Sequence, residues 1–392
     1  MNNYLQDIWY HRLLVVSIIL AFLLPHSMTP FLLVNPILCV CLYFFGGGMP
    51  RLSVKYFPLF FIAIALLVNL TADVSAKSML SAITVLLYLF CFPWSKKIEI
   101  NNKVIYFCFG FILTTQLIYL SRITFLINLM DTLYPINEFY EDSISNLKAT
   151  VYLDNLSDFR LGGLYRNPNH CSKYVTFLIS LYLCNNIQKS PRSNIPFIIL
   201  SFFSVIMTGS RTGFIVFTLI SGTYLLKTNY LRGGKRLIAA LLVAGFLIWS
   251  FIKSSENEFR SLDMDAGSMT VKLETFLSYL ANERSAFHLF FGYLDFGRYI
   301  AMPGVMANFD SEYGYLVFQY GIISFMALLC FYFIIFRSIR KEYRFALWTG
   351  LWMITSSLLC SYRASFIWLM FLAFLLSKSR DLSLRERNRI TL

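Results

Sequence analysis

The sequence predicts an all-α polytopic membrane protein with about twelve transmembrane helices. Hydrophobic residues make up 57% of the 392-residue chain and charged residues 14%, whereas soluble domains carry about 25% charged residues. Many apolar runs approach the roughly 20 residues that a helix needs to cross a bilayer. The basic residues concentrate in alternate loops between these runs. Together these observations exclude a soluble domain of ordinary size.

The apolar runs define twelve predicted spans. Their approximate ranges are 13–28, 31–48, 56–71, 78–93, 104–121, 171–187, 195–209, 212–226, 237–252, 313–336, 345–360 and 364–377. Several are short for a full crossing, which is typical of tilted or partly re-entrant segments. The first run lacks a small-residue cleavage site, so we expect no cleavable signal peptide.

Loop charge predicts the orientation. With a cytoplasmic N-terminus, the cytoplasmic pieces hold 21 of the 34 basic residues and 5 of the 21 acidic residues, a balance of +16 against −3 outside. Every short cytoplasmic loop is then basic, as the positive-inside rule requires. If one span were removed from the prediction, every later loop would change sides and the basic loops would no longer all be cytoplasmic. The charges therefore predict an even number of spans with both termini in the cytoplasm.

The order of spans and loops divides the chain into five parts. Residues 1–121 hold spans one to five, 122–170 a first external loop, 171–252 spans six to nine, 253–312 a second external loop, and 313–392 the last three spans with a basic cytoplasmic tail. Neither loop is repetitive or rich in Ser and Gly, so both are predicted to be folded. Apolar spacing over 271–287 predicts an amphipathic helix that lies on the membrane or roofs a cavity.

Several classes of site and partner are not supported. The net charge of +13 is accounted for by the cytoplasmic loops, so we expect no nucleic-acid partner. The eight cysteines lie in or beside apolar runs without a CxxC pair, and are interpreted as small apolar residues. The four histidines are scattered, and there is no nucleotide-binding motif. We therefore expect no metal and no cofactor.

Two arginines lie in minimal turns on the predicted external side. Arg211 lies within residues 208–213, and Arg363 ends the turn 361–363. A charge near hydrocarbon is costly unless it has a partner. One interpretation is that each side chain snorkels to the interface. The alternative is an anion site, because the guanidinium fork suits phosphate and the external loops add further arginines, Arg160, Arg166 and Arg284.

The first external loop ends in a predicted turn that leads into the sixth span. Its sequence from 160 to 170 contains two glycines and a proline between polar residues. Asn169 and His170 are expected at a helix N-terminus, where backbone donors and the helix dipole favour an anion. The simpler interpretation is that Asn169 only caps the helix.

The second external loop ends with acidic residues beside the tenth span. Asp310 and Glu312 are interpreted as alternative general bases that take a proton from a substrate hydroxyl, with Tyr313 beside them. They are otherwise two solvated loop acids. His288, one helical turn from Arg284, is a further candidate, although a surface histidine without a role is the simpler interpretation.

Three stretches carry a resemblance to a known family. They are Leu-Gly-Gly-Leu-Tyr-Arg-Asn-Pro-Asn at 161–169, Met-Thr-Gly-Ser-Arg-Thr-Gly at 207–213, and Asp-Ser-Glu-Tyr at 310–313 followed by Tyr-Gly-Ile-Ile at 320–323. In this order, the chain resembles the O-antigen polymerase/ligase superfamily and is most similar to Wzy-type repeat-unit polymerases. Ligases usually have histidine and asparagine where this chain has Asp310 and Ser311, which favours a polymerase.

The resemblance implies a GT-C-like glycosyltransferase that joins undecaprenyl-pyrophosphate-linked oligosaccharide repeat units at the periplasmic face of the bacterial inner membrane. The transfer it implies is metal-independent, with inversion at the anomeric carbon. The implied catalytic residues are Asp310, Glu312, Arg211 and Arg284. The implied substrate-binding residues are Arg160, Arg166, Asn169, His170, His288, Tyr313 and Arg363.

The resemblance also bears on partners and on alternative functions. Partners of such enzymes are the lipid bilayer, the lipid-linked substrate, and in some systems a chain-length regulator and a flippase. The alternatives are an O-antigen ligase that transfers polymer to lipid A-core, and a flippase for lipid-linked oligosaccharide. A flippase is expected to have short external loops and charges deep in its spans, unlike this chain.

Overall fold

The computed structural model describes residues 2–23, 37, 40–41, 57–70, 79, 83, 98–133, 161–165, 168–227, 286–292, 312–354 and 362–390. Within these ranges all regular structure is helical, which confirms the all-α class. The helices are α1 (Asn2–Leu23), α2 (Phe57–Leu70), α3 (Asn102–Ser121), α4 (Thr124–Leu133), α5 (Pro168–Asn185), α6 (Pro191–Met207), α7 (Arg211–Lys227), α8 (Ala286–Phe291), α9 (Glu312–Ser338), α10 (Leu347–Ile354) and α11 (Tyr362–Ile390), with short 3₁₀ helices at Gly163–Tyr165 and Lys341–Ala346.

Two described helical segments are long and apolar enough to cross a membrane, Asn102–Ser121 and Tyr320–Ser338. Shorter apolar helices occur at Pro58–Asn69, Pro191–Met207 and Thr212–Lys227. The predicted spans 31–48, 78–93 and 237–252 lie almost entirely outside the described residues. The count of twelve therefore stays a prediction.

Several helices extend beyond the predicted spans. α1 begins at Asn2 rather than near 13, and α11 continues to Ile390 although the span was predicted to end at 377. Hydropathy detects only the apolar part of a helix, whereas Lys, Arg and Glu are good helix formers and continue it into water. The first predicted external loop, residues 122–170, contains α4, a helix that the sequence analysis did not predict. The predicted helix over 271–287 lies outside the described residues except for its last two residues, which begin α8.

Large apolar side chains are exposed on several described helices, in addition to those that form a buried apolar core. On α2 the large apolar side chains point outward, with Phe60 51% and Leu67 54% exposed. Polar side chains such as Gln116, Ser180 and Thr349 are fully buried between helices. Water-soluble proteins bury apolar groups first and rarely expose wide apolar faces. The exposed apolar side chains of the described helices are of the kind that a bilayer covers.

Hydrogen bonds between helix ends define one end of the bundle, which we call the asparagine pole after Asn101, Asn102, Asn185, Asn186 and Asn194. The Nδ2 of Asn185 donates to Ile100 O (2.6 Å) and to the Oδ1 of Asn102 (3.0 Å). The Nδ2 of Asn102 donates to the Oδ1 of Asn186 (3.0 Å), and the Nδ2 of Asn194 donates to the hydroxyl of Tyr224 (2.6 Å). The network joins α3, α5, α6 and α7 at this pole.

The connection between α9 and α10 lies at the same pole. The amide of Arg340 donates to the Oγ of Ser379 on α11 (3.2 Å), and its guanidinium pairs with Glu342 (3.0 Å). Burial by itself raises the pKa of the Glu342 carboxyl, but hydrogen bonds from its own backbone and from Arg340, with the charges of Arg340 and Lys227, lower it overall. This carboxylate is therefore held ionised among basic residues.

The opposite end, which we call the loop pole, is formed by residues 161–165, 208–210 and 286–292. Here residues 286–292, part of the second predicted external loop, are held between α2 and α9. α9 is kinked at Gly321, whose φ of 80° and ψ of 161° are not helical. A Cβ at Gly321 would lie 2.2 Å from the carbonyl oxygen of Phe290, and the Nδ2 of Asn69 donates to Phe291 O. The kink and the missing side chain let α8 lie directly against the α9 backbone.

Gly321→Ala is expected to destabilise the protein, because the new methyl group overlaps the α8 backbone and the positive φ disfavours alanine. The expected cost is about 1–3 kcal/mol, read as a lower midpoint of thermal unfolding in detergent. Gly110→Ala on α3 is the matched control, since a Cβ there meets no atom within 4 Å. Equal midpoints for the two variants would contradict the close packing of α8 on α9.

Candidate functional site

The helices α5, α7, α9 and α11 begin away from the asparagine pole and run toward it. Each start carries residues predicted from sequence: Asn169 and His170 on α5, Arg211 on α7, Glu312 and Tyr313 on α9, and Arg363 on α11. The N-terminal end of a helix carries a partial positive charge and free backbone N–H groups. Four such ends, directed toward the loop pole, make this part of the bundle favourable for an anion.

Ring contacts between α5 and α11 show where the starts of these two helices lie relative to each other along the bundle axis, which we call their level. The rings of Phe177 and Phe371 are in contact, with centroids 4.9 Å apart. Asn169 and Arg363 each lie eight residues before these rings, on helices that run in the same direction. At about 1.5 Å per residue, both lie roughly 12 Å from the ring pair. The predicted residues of α5 and α11 therefore lie at the same level.

α7 meets α5 at a position that allows no side chain. A Cβ built on Gly213 would lie 2.5 Å from the Cβ and 2.6 Å from the Oγ of Ser172. The two helix backbones can approach this closely only because residue 213 is glycine. Arg211 lies two residues before this contact, and His170 lies two residues before Ser172. The structure thus brings the starts of α5 and α7 together.

The turn that leads into α7 is held by its own hydroxyl groups. Gly209 has a φ of 58°, and the Oγ1 of Thr208 donates to Val205 O (2.6 Å) and accepts from the amide of Ser210 (3.2 Å). The Oγ of Ser210 accepts from the amide of Gly213 (3.2 Å), which is the N-cap hydrogen bond of α7. Arg211 is therefore the first residue of a capped helix, following a turn that is buried at Thr208 and Ser210.

The start of α5 lies two positions before the one that N-capping by Asn169 would give. The helix begins at Pro168, so Asn169 lies in its first turn and is not the N-cap residue. Proline is favoured as the first helical residue because its φ is already helical and its missing N–H is not needed there. His170 follows, half-buried. Both residues remain at the N-terminal end of α5, as predicted.

Residues 161–165, just before α5, are attached to three helices. The amide of Leu161 donates to Met207 O (2.8 Å), and the hydroxyl of Tyr165 donates to Phe22 O (2.8 Å). The amide of Leu164 donates to the Oγ1 of Thr115 (3.0 Å). Gly163 has a φ of 53° and faces Thr115, so that a Cβ would lie 2.8 Å from that hydroxyl oxygen. Gly163 therefore permits close contact between this loop and α3.

Gln116 is a structural residue of this region that the sequence analysis missed. Its Nε2 donates to Ser204 O (3.0 Å) and to Leu161 O (3.3 Å), and its Oε1 accepts from the Oγ of Ser204 (2.6 Å). The side chain is fully buried and joins α3, α6 and the loop 161–165. A glutamine inside an apolar run was the available signal.

Lys173 is the second residue that the sequence analysis missed. It lies on α5 one turn after Asn169 and is 6% exposed, and its ammonium lies 5.8 Å from the ring centroid of Trp352 on α10. Among the described residues classed as buried, it is the one with a charged side chain. The predicted sixth span, 171–187, contained this lysine, so a charge within an apolar run was visible in the sequence.

α9 reaches further than its neighbours. The rings of Phe331 and Trp368 are in contact (5.9 Å), six residues after the start of α11 but nineteen residues after Glu312. Glu312 and Tyr313 thus begin a part of α9 that extends past the start of α11 and changes direction at Gly321. The structure places the start of α9 on the loop-pole half of the bundle, and the side chains of Glu312 and Tyr313 lie outside the described part of the structure.

The other predicted residues are described in part or not at all. His288 is half-buried in α8, with its ring 6.0 Å from that of Phe287. Arg160, Arg166, Arg284 and Asp310 lie outside the described residues, so the predicted helical pairing of Arg284 with His288 is untested. In the described ranges no three His, Cys, Asp or Glu side chains form a group that could hold a metal ion.

Comparison of the chain with protein-family models, with characterised proteins and with solved structures finds no match.

Gln116→Leu is expected to destabilise the bundle, because it leaves the hydroxyl of Ser204 and two carbonyl oxygens without their buried donor or acceptor. The expected cost is about 1–3 kcal/mol, read as a lower unfolding midpoint. Thr114→Val on the same helix is the control, since its hydroxyl bonds only to Gly110 O at an exposed position; a change within about 0.5 kcal/mol is expected there. A Gln116→Leu variant as stable as the wild type would refute the role given to this side chain.

Proposed function

We propose that this protein polymerises undecaprenyl-pyrophosphate-linked oligosaccharide repeat units into O-antigen or capsular polysaccharide, by metal-independent glycosyl transfer at the periplasmic face of a bacterial inner membrane. The observation that carries the proposal is the meeting of the starts of α5 and α7, with the start of α11 at the level of α5. These starts carry Asn169, His170, Arg211 and Arg363, which the sequence singled out independently.

The proposal includes a membrane-embedded bundle of about twelve spans with a GT-C-like fold and two sizeable periplasmic loops. Its support is the apolar outer surface of the described helices and the two segments long enough to span. The asparagine pole is assigned to the cytoplasm because the adjoining residues are basic, including Arg192, Lys227, Arg340 and Lys341. The loop pole is then periplasmic.

The proposed anion site takes the pyrophosphate of the lipid carrier. Pyrophosphate is multiply charged, and helix N-termini bind such groups through backbone N–H groups and the helix dipole. Arg211 is the first residue of α7 and Arg363 the second residue of α11. Their guanidinium groups supply charge-assisted hydrogen bonds at these starts. Arg160, Arg166 and Arg284 are assigned to the same anion by the sequence alone.

The proposed reaction is a direct displacement. The hydroxyl of the acceptor sugar attacks the anomeric carbon of the lipid-linked donor chain, and Asp310 or Glu312 takes the hydroxyl proton. The new glycosidic bond forms as the bond between the anomeric carbon and the phosphate oxygen breaks, and undecaprenyl pyrophosphate leaves with the bonding electrons. Arginines beside the departing anion lower the barrier because its charge grows in the transition state. His288 and Tyr313 are assigned to sugar binding.

Arg211→Ala and Arg363→Ala are each expected to abolish long-chain polysaccharide. Each substitution removes a guanidinium that the proposal places beside the departing pyrophosphate. In an O-antigen strain, gel analysis of the lipopolysaccharide should show a single repeat unit on lipid A-core instead of a ladder. Arg192→Ala is the matched control: Arg192 is the second residue of α6 but lies at the asparagine pole, so its ladder should be retained.

The same gel separates the alternatives. Deletion of a polymerase leaves one repeat on the core, whereas deletion of a ligase leaves bare core with lipid-linked polymer accumulating. Deletion of a flippase leaves intermediates on the cytoplasmic side. A ladder that persists in the double variant without Arg211 and Arg363 would refute the pyrophosphate assignment.

The orientation has its own test. Alkaline phosphatase fused after Leu133, at the end of α4, is expected to be active because the proposal places that residue in the periplasm. Fusion after Lys189, between α5 and α6, is expected to be inactive because that turn is assigned to the cytoplasm. The reverse pair of activities would invert the proposed topology and move the site to the cytoplasmic side.

A further inference from the structure

The short helix α4 has three faces of different chemistry. Its bundle face is buried or half-buried and consists of Leu126, Ile127 and Met130. Its apolar face is exposed and consists of Phe125, Leu129 and Leu133. Its polar face is also exposed and consists of Thr124, Asn128 and Thr132. Because successive helical residues are rotated by about 100°, the apolar face lies between the other two, roughly 100° from each.

The bundle face determines where α4 lies. Met130 forms one apolar cluster with Tyr119 near the end of α3 and with Leu161, and Met207 at the end of α6 packs against it. If α4 simply continued α3, Met130 would lie about 16 Å beyond Tyr119, at 1.5 Å for each of the eleven residues between them. The chain instead changes direction at Arg122, whose φ of 56° is left-handed. α4 therefore lies against the last turns of α3 and α6, at the loop pole.

The apolar face of α4 continues the outward surface of α3. α3 is one of the two described segments long and apolar enough to cross a membrane, and Leu117 and Leu120 are exposed near its loop-pole end. Exposed apolar side chains then recur at Ile123 and at Phe125, which at 73% is the most exposed large apolar side chain in the part of the chain that the structure describes. Proteins rarely leave such a surface in water. Since lipid covers this surface on α3 in the proposed bundle, lipid is the occupant that also covers its continuation on α4.

We infer that α4 is an interfacial helix, with its apolar face among the lipid acyl chains just below the headgroups and its polar face toward the headgroups and water. A helix deeper in the hydrocarbon would bury its polar face without water, and a helix above the membrane would leave its apolar face in water. Only the boundary suits both faces. The inference rests on the membrane-embedded bundle of the proposed function, but not on glycosyl transfer or on the side of the membrane to which the loop pole belongs.

This lipid contact supports the segments that precede α5 and α7. The bundle face of α4 packs with Leu161, whose amide donates to Met207 O (2.8 Å). Leu161 begins the loop 161–165, and Met207 comes directly before the turn that leads into α7. The bilayer therefore holds both segments at the membrane surface through α4.

Photo-cross-linking of the full-length protein tests the inference, in nanodiscs of phosphatidylethanolamine and phosphatidylglycerol. The photoreactive amino acid p-benzoylphenylalanine replaces Phe125 or Leu129, one position in each variant. On irradiation its ketone inserts into a nearby C–H bond, so a side chain among acyl chains forms a lipid adduct that mass spectrometry detects. Lipid adducts are expected at both positions, because both side chains lie on the apolar face.

Two further positions serve as controls. The same amino acid in place of Asn128, on the polar face one residue before Leu129, is expected to give no lipid adduct. In place of Leu117, on the exposed side of α3, it is expected to give an adduct in a yield similar to that at positions 125 and 129. A Leu117 variant without lipid adducts would refute the membrane-embedded bundle itself. Adducts at Leu117 but not at positions 125 and 129 would overturn only the inference about α4.

The other outcomes also decide the inference. Cross-links from positions 125 and 129 to another part of this chain, or to a second copy, would show that protein covers the apolar face and would overturn it. Equal lipid yields at 125, 128 and 129 would remove the distinction between the two exposed faces and overturn it as well.

A pair of glutamate variants provides an independent readout. Leu129→Glu is expected to lower the midpoint of thermal unfolding in the same nanodiscs, because its carboxylate would enter the acyl region. Asn128→Glu is expected to leave the midpoint unchanged, because that position faces the headgroups and water. Equal midpoints for the two variants would place Leu129 in water and contradict the inference.

Discussion

The enclosure of α5 is the constraint on which the rest of the structure depends. Every residue from 171 to 184 is buried, so this helix touches other helices on all sides. Its polar side chains therefore need partners within the protein, as with Thr176 and Ser180. These contacts fix the position of each neighbouring helix along the axis of α5. Its N-terminal end then becomes the reference point of the candidate site.

Contacts along α5 determine where its neighbours begin. Ser172 lies against the backbone of α7 at Gly213. The hydroxyl of Ser180 is hydrogen-bonded to that of Thr349 on α10. The ring of Phe177 packs on that of Phe371 on α11. Asn185 joins the far end of α5 to α3. The starts of α7 and α11 thus follow from packing over the whole length of α5: the start of α7 meets that of α5, and the start of α11 lies at the level of α5. The position of the proposed anion site is thus determined by interactions that are mostly remote from it.

Close backbone contacts at three glycines complete this arrangement. Gly163, Gly213 and Gly321 each face an atom that an added Cβ would overlap, whereas Gly110 and Gly222 face open space. Each of the first three lies in one of the stretches on which the sequence resemblance was based. At Gly163 and Gly321 the positive φ also disfavours other residues. These glycines hold loop segments or helices against the bundle where a side chain would separate them.

The sequence by itself determined the all-helical class, the approximate position of most described helices and the residues that deserve a functional hypothesis. It did so because apolar run length, loop charge and turn chemistry are local properties. It did not show that Glu312 starts a part of α9 extending past Gly321, that α8 packs into that kink, or that Gln116 and Lys173 are enclosed. Those features depend on which helices touch, and each is set by side chains far apart in the chain. Only the tertiary structure decided that the starts of α5 and α7 meet and that the start of α11 lies at the level of α5, because it sets both the separation and the level of the helices.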